Sequence, residues 1–180
     1  MEWLIITNGE LLERIFLAFL HDVAIATYIG GAVAMEFVLN PAQRTIPPAQ
    51  AQVMGQKSAD RFLWLVWGSL VFIIVTGLLR VWRSGRFDDF FDWGIGYGRT
   101  LSAMLLIFIL LVINGLLITF VLRPRLAGKM QAGVTAQRVA ARQDTQMQAA
   151  RYVEILTRVD IVLALIAAFL GASLKLGGFL

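Results

Sequence analysis

Four long stretches of the chain are almost free of charge, and the polar residues collect between them. A helix rises about 1.5 Å per residue, so about 20 mainly apolar residues cross a hydrocarbon layer about 30 Å thick. The first stretch, residues 11–39, holds His21, Asp22 and Glu36 and ends at Asn40-Pro41. The second, 62–82, is free of charge from Phe62 to Leu79 and is bracketed by Arg61 and Arg80. The third, 98–122, carries no charge after Arg99 until Arg123-Pro124 stops it. The fourth, 158–178, is apolar from Ile161 onward apart from Lys175, whose long stem can carry its ammonium to the interface. Ten-residue segments of strict apolar/polar alternation, the mark of a membrane barrel, are missing. The pattern predicts an all-α fold: one polytopic membrane domain over residues 1–180, an antiparallel bundle of four transmembrane helices.

The connections have distinct characters. Residues 40–61 carry Pro41, Pro47 and Pro48, with a helix restarting near Pro48, where proline suits a first turn. Residues 80–99 mix Trp82, Phe87, Phe90, Phe91, Trp93 and Tyr97 with charges of both signs, a composition suited to the headgroup level. Residues 126–157, rich in Ala, Gln and Arg, predict a water-exposed helical extension running into the fourth span, weakened at its start by Gly128 and Gly133. The start, Met1-Glu-Trp-Leu, lacks the positive n-region of a removable signal, so the first span is expected to act as its own insertion signal.

Composition agrees with this reading: 58% of the 180 residues are hydrophobic and 16% charged, more apolar surface than a soluble core of this size uses. Cysteine is absent, which excludes disulfides, thiolate metal sites and iron–sulfur clusters. The net charge of +4 sits at the ends of apolar runs and forms no single patch, so anionic lipid is the expected counterpart and no nucleic-acid partner is expected. One side of the membrane would hold Arg44, Lys57, Arg61, Arg123, Arg125, Lys129, Arg138, Arg142, Arg151 and Arg158, ten in all; the other holds Arg14, Arg80, Arg83, Arg86, Arg99 and Lys175, six in all. The positive-inside rule then places both termini outside the cytoplasm of a bacterial plasma membrane.

His21-Asp22 is the main chemical feature, since an ionisable residue inside an apolar helix must face a partner or a cavity. Helical spacing puts His21, Ala24, Tyr28, Gly31 and Met35 on one stripe, with Asp22, Ile29 and Glu36 on a neighbouring one. The small residues Ala18, Ala26, Gly30 and Ala34 predict a face that another helix can approach closely. For His21 three readings stand side by side: an interhelical hydrogen bond, a metal or haem ligand, and a proton relay. Met104, early in the third helix, can share its depth as a second axial ligand or simply fill space. Copper(I) bound by His21, Met35 and Met104 suits the softness of the donors, although His21 and Met35 lie about 21 Å apart along one helix. Asn114-Gly115 and Thr76-Gly77 are read as helix-packing polar positions, and Glu36 is expected to pair with Arg44 or Arg61. No catalytic set is recognisable.

The run His21-Asp-Val-Ala-Ile-Ala-Thr-Tyr-Ile-Gly30-Gly31, followed by Arg61-Phe-Leu-Trp-Leu-Val-Trp through Thr76-Gly77-Leu, resembles the CopD-like membrane families. Tyr97-Gly98-Arg99-Thr-Leu and Leu122-Arg123-Pro124-Arg125-Leu126 add to the likeness, which spans roughly residues 15–126. The resemblance implies a compact bundle of four or more helices, often oligomeric, tied to copper handling or, in the related HemJ group, to haem binding and protoporphyrinogen oxidation. The first-helix histidine of the HemJ group corresponds to His21, while Met104 stands where that group carries a lysine. Copper-resistance relatives are richer in His and Met than this chain.

Taken together, these features favour a small membrane protein binding haem b through His21 for electron transfer or haem handling. The alternatives are a copper-handling protein and a cofactor-free structural or assembly subunit of a membrane complex. The expected partners are the lipid bilayer and either further copies of the chain or a larger membrane complex.

Overall fold

The computed structural model describes residues 8–126, 136–178 and 180. The start of the chain, with the signal-peptide reading made on it, and Gly128, Lys129 and Gly133 fall outside the described residues, as do the side chains of Arg138 and Arg142.

Four long helices dominate: α1 (Asn8–Ala34), α2 (Pro48–Arg83), α3 (Gly96–Leu116) and α4 (Ala136–Ser173). Among the described residues there is no strand. Each helix belongs to a continuous apolar rod long enough to cross a bilayer, namely Gly9–Gln43, Ala49–Arg83, Gly96–Leu126 and Asp144–Leu176. The fold is an all-α polytopic bundle.

Two of these rods widen into π-helix, and both do so just before a proline. Met35–Leu39 precedes Pro41, and Leu117–Leu122 precedes Pro124. A proline offers no N–H and its ring collides with the carbonyl four residues earlier, here Phe37 and Phe120; a wider turn relieves that collision and lets the helix continue. α2 instead begins at a proline, Pro48, where no N–H is needed.

The helices pack as two hairpins. α1 lies along α2, α3 along α4, and α1 also touches α4, while the α2 and α3 backbones stay apart and meet mainly through side chains. Trp67 Nε1 donates to Thr119 Oγ1 across that gap at 3.4 Å. The centre is built from one residue of each helix: Tyr28, Leu70, Leu111 and Ala164. Outside it, Phe16, Trp64, Phe72, Phe120 and Phe169 stand exposed. In water such a surface would aggregate; in hydrocarbon it is solvated.

Charges close the bundle at both ends. At one, Arg158 Nε meets Glu36 Oε1 at 2.7 Å, Arg158 also reaches Glu154, Arg44 lies 4.0 Å from Glu154, and Arg123 pairs with Asp60. At the other, Arg83 Nη2 meets Glu13 Oε1 at 2.8 Å. The first and third connections therefore share one end. The partner of Glu36 is Arg158, where Arg44 or Arg61 was expected, because α1 packs on α4 at that level and brings a cation from far along the chain.

The inward face of α1 also differs from the expected small-residue face. His21, Ala24, Tyr28, Ala32 and Glu36 are buried, while Ala26, Gly30 and Ala34 point outward. A Cβ on Gly30 would meet nothing within 4 Å, whereas one on Gly31 would lie 3.0 Å from Phe62 Cε2 and 3.1 Å from Leu65 Cδ2. Gly31 is the residue that lets α2 close on α1.

The aromatic loop folds onto the first turn of α3. Phe87 and Phe90 meet edge to face with centroids 5.6 Å apart, Arg86 stacks over Tyr97 at 4.6 Å, and Ser102 Oγ donates to Phe90 O at 2.8 Å. A side chain at Gly98 would overlap the carbonyl of Asp92, which explains glycine there.

Candidate functional site

Two buried polar nodes interrupt the apolar interior. The first joins α1 to α2. Thr76, a β-branched residue mid-helix, turns its hydroxyl back to donate to the carbonyl of Phe72, four residues earlier. Its oxygen can then only accept, and His21 Nδ1 lies 2.8 Å from it. The Ile73 carbonyl lies 3.4 Å from the same hydroxyl, a second acceptor for its proton. The proton therefore belongs on Nδ1, and Nε2 keeps its lone pair.

Gly77 completes this node. A Cβ there would sit 3.2 Å from His21 Cε1 and 4.0 Å from Nε2, so a glycine gives the ring its space. Arg80 and Asp22 both act on the ring electrostatically, and Asp22 itself points outward.

The second node joins α3 to α4 and touches α1. Asn114 Nδ2 donates to Asp160 Oδ1 at 2.7 Å and to the Leu156 carbonyl at 3.0 Å. Tyr28, on α1, is buried beside the same carboxylate. Tyr28 is 4% exposed, Asn114 7% and Asp160 7%, so three polar side chains from three helices converge where water does not reach. Asn114 Oδ1 is buried without a partner.

The remaining sequence candidates are dispersed. Met104 places its methyl within 3.2 Å of where a Cβ on Gly171 would stand, a contact with α4, while His21 is engaged with α2. Met35 opens the π-turn at the far end of α1, next to the buried Glu36. Among the described residues no three of His, Asp and Glu gather as a metal-binding group. Two open apolar cavities lie between α2 and α3, one of about 420 Å³ lined by Leu63, Trp64, Trp67, Leu116, Thr119 and Phe120, the other of about 280 Å³ against the aromatic loop. His21 lines neither.

Asp160 is the residue that sequence reasoning missed. It stands one position before the apolar run that starts at Ile161, which made it look like a boundary charge. The packing of α4 on α3 carries it inside the bundle, against Asn114. The available signal was Asn114, an amide in mid-span that needs a polar partner on a neighbouring helix.

A family model described as Copper resistance protein D (CopD) matches residues 56–174. That segment runs from early α2 to the end of α4; it includes Thr76, Gly77, Met104, Asn114 and Asp160, and leaves His21, Tyr28 and Met35 outside. No curated protein and no solved structure matches the chain.

Proposed function

The chain belongs to the copper resistance protein D (CopD) family, and from that membership we propose that it handles copper in the membrane, with His21 Nε2 as a ligand for the ion. The observation that carries this reading is the hydrogen bond from His21 Nδ1 to Thr76 Oγ1 at 2.8 Å. It orients the ring, fixes the proton on Nδ1 and leaves Nε2 basic, the support that metal-binding imidazoles ordinarily have.

Copper is the cargo here and not a resident cofactor. The described residues of one chain bring a single imidazole nitrogen to this place, with the thioethers of Met35 and Met104 at other points of the bundle. A second copy of the chain or a larger membrane complex supplies the other ligands in this proposal. The two cavities between α2 and α3 do not include the histidine, so neither would seat a haem b on it. The protein sits in a bacterial plasma membrane with both termini outside the cytoplasm, by the excess of basic residues at the end holding the first and third connections.

Equilibrium dialysis of the purified protein against copper(I) tests the reading. Wild type and Asp22→Asn are expected to retain copper and His21→Ala to lose it; equal retention by wild type and His21→Ala overturns it. A Soret absorption that depends on His21 would put haem b in copper's place. A colourless, folded protein without copper would favour a structural or assembly subunit.

A further inference from the structure

We propose that Asp160, Asn114 and Tyr28 form an intramembrane proton-binding site, in which the Asp160 carboxyl takes up one proton from water and holds it against the Asn114 side chain.

Asn114 lies nine residues inside Arg123 on the same rod, and Tyr28 eight residues inside Glu36, about 14 Å and about 12 Å along their axes. Asp160 itself lies two residues, about 3 Å of rise, beyond Arg158 of the end cluster, but it is 7% exposed and bonded inward to Asn114, a setting in which an isolated carboxylate is costly and needs a cation. Asp160 has none. Among the described residues its hydrogen-bond partner is an amide and its neighbour on α1 a phenol, both neutral, and no arginine or lysine forms an ion pair with it.

The elements packed around Asp160 bring it no cation. α1 contributes Tyr28, α3 contributes Asn114, and the residues of α2 packed around Tyr28 (Val66, Trp67, Leu70 and Ile73) carry no charge. On α4 the nearest charges, Glu154 and Arg158, are engaged with each other and with Glu36 and Arg44. Among the described residues nothing neutralises Asp160.

The orphaned oxygen supplies the second, independent observation. Asn114 donates to Asp160 Oδ1 through Nδ2, and its Oδ1 is left buried with no donor. A carboxylic O–H on the other Asp160 oxygen is the one donor this pair lacks. With it, acid and amide satisfy each other reciprocally; without it, a buried acceptor faces a buried anion. A single proton thus removes both an uncompensated charge and an unpartnered acceptor. The site is separate from His21 and from both methionines.

Infrared difference spectroscopy on the full-length protein in lipid nanodiscs tests this. At neutral pH wild type is expected to show the carbonyl stretch of a protonated carboxylic acid, and uniform ¹³C-aspartate labelling should shift that band without any mutation. The band should disappear in Asp160→Asn, which keeps the side-chain shape and the bond to Asn114, stay in Asp22→Asn, and move in Asn114→Ala. Absence of an aspartate-derived acid band in wild type overturns the proposal, as does a band that persists in Asp160→Asn. Loss of the band on adding sodium at constant pH overturns it too, because the site would then prefer a metal cation to a proton.

Discussion

His21 Nδ1 and Thr76 Oγ1 stand 2.8 Å apart across the α1–α2 contact, and the hydroxyl's own proton points at Phe72. The direction of that hydrogen bond sets the chemistry of the imidazole, so the threonine should matter more than its size suggests. Thr76→Val keeps the shape and removes the acceptor. Within a membrane such a bond contributes about 0.6–2 kcal/mol, so a modest loss of stability in detergent melting is expected. A larger effect is expected on the ligand role: copper affinity should fall about 10–100-fold, as when an outer partner of a metal-binding histidine is lost. Thr76→Ser should restore it. Equal copper binding by Thr76→Val and wild type would separate the threonine from the ligand.

Gly30 and Gly31 are adjacent, and their substitution should give opposite results. At Gly31 a Cβ would press on Phe62 and Leu65 at 3.0 and 3.1 Å, while at Gly30 it would enter open space. Gly31→Leu is expected to destabilise the α1–α2 hairpin by about 1–3 kcal/mol, the usual range for overpacking. Gly30→Leu should leave the melting of the monomer unchanged. Matching losses at both positions would mean that α1 turns a different face to α2.

The difference between those two glycines shows where the sequence stops being informative. Four helices, their number and type, were legible because hydrocarbon admits few alternatives: each span must satisfy its own backbone bonds, and length with apolarity announces it. Which face of α1 looks inward was not legible, since a helix that is apolar all round offers no polar stripe to mark its solvent side, and one residue turns the face by about 100°. The His21–Tyr28 stripe was found because its polar members had to go inside; the Ala26–Gly30–Ala34 stripe was misplaced because small residues permit close packing without requiring it. Partners far apart in the chain, Glu36 with Arg158 and Asn114 with Asp160, follow from which helices become neighbours. Periodicity within one helix carries nothing about that.

The Glu36–Arg158 pair is asymmetric, and its two halves should respond differently to mutation. Glu36 is 5% exposed and also accepts from Asn40 Nδ2 at 3.1 Å, while Arg158 is exposed and has Glu154 as a second partner. Arg158→Leu leaves a buried carboxylate without its cation and should lower the melting temperature clearly. Glu36→Gln leaves an exposed guanidinium that water and Glu154 still satisfy, so a smaller drop is expected. The double variant should recover part of the Arg158→Leu loss. Strict additivity in the double-mutant cycle would show that the two side chains do not interact in the membrane.

Orientation of the bundle can be read with cysteine reporters, since the chain has no cysteine of its own. Lys57 and Arg86 are both exposed and lie toward opposite ends of α2, one nine residues inside its start and one three residues beyond its finish. The Glu36–Arg158 and Arg123–Asp60 pairs gather the first and third connections at the Lys57 end, where the larger share of basic residues lies. Basic residues in short loops are held back on the cytoplasmic side. In intact cells a membrane-impermeant maleimide should therefore label Arg86→Cys, and label Lys57→Cys only after the membrane is opened. Labelling of Lys57→Cys alone in intact cells would invert the topology, putting the Arg158 cluster outside and the aromatic loop in the cytoplasm.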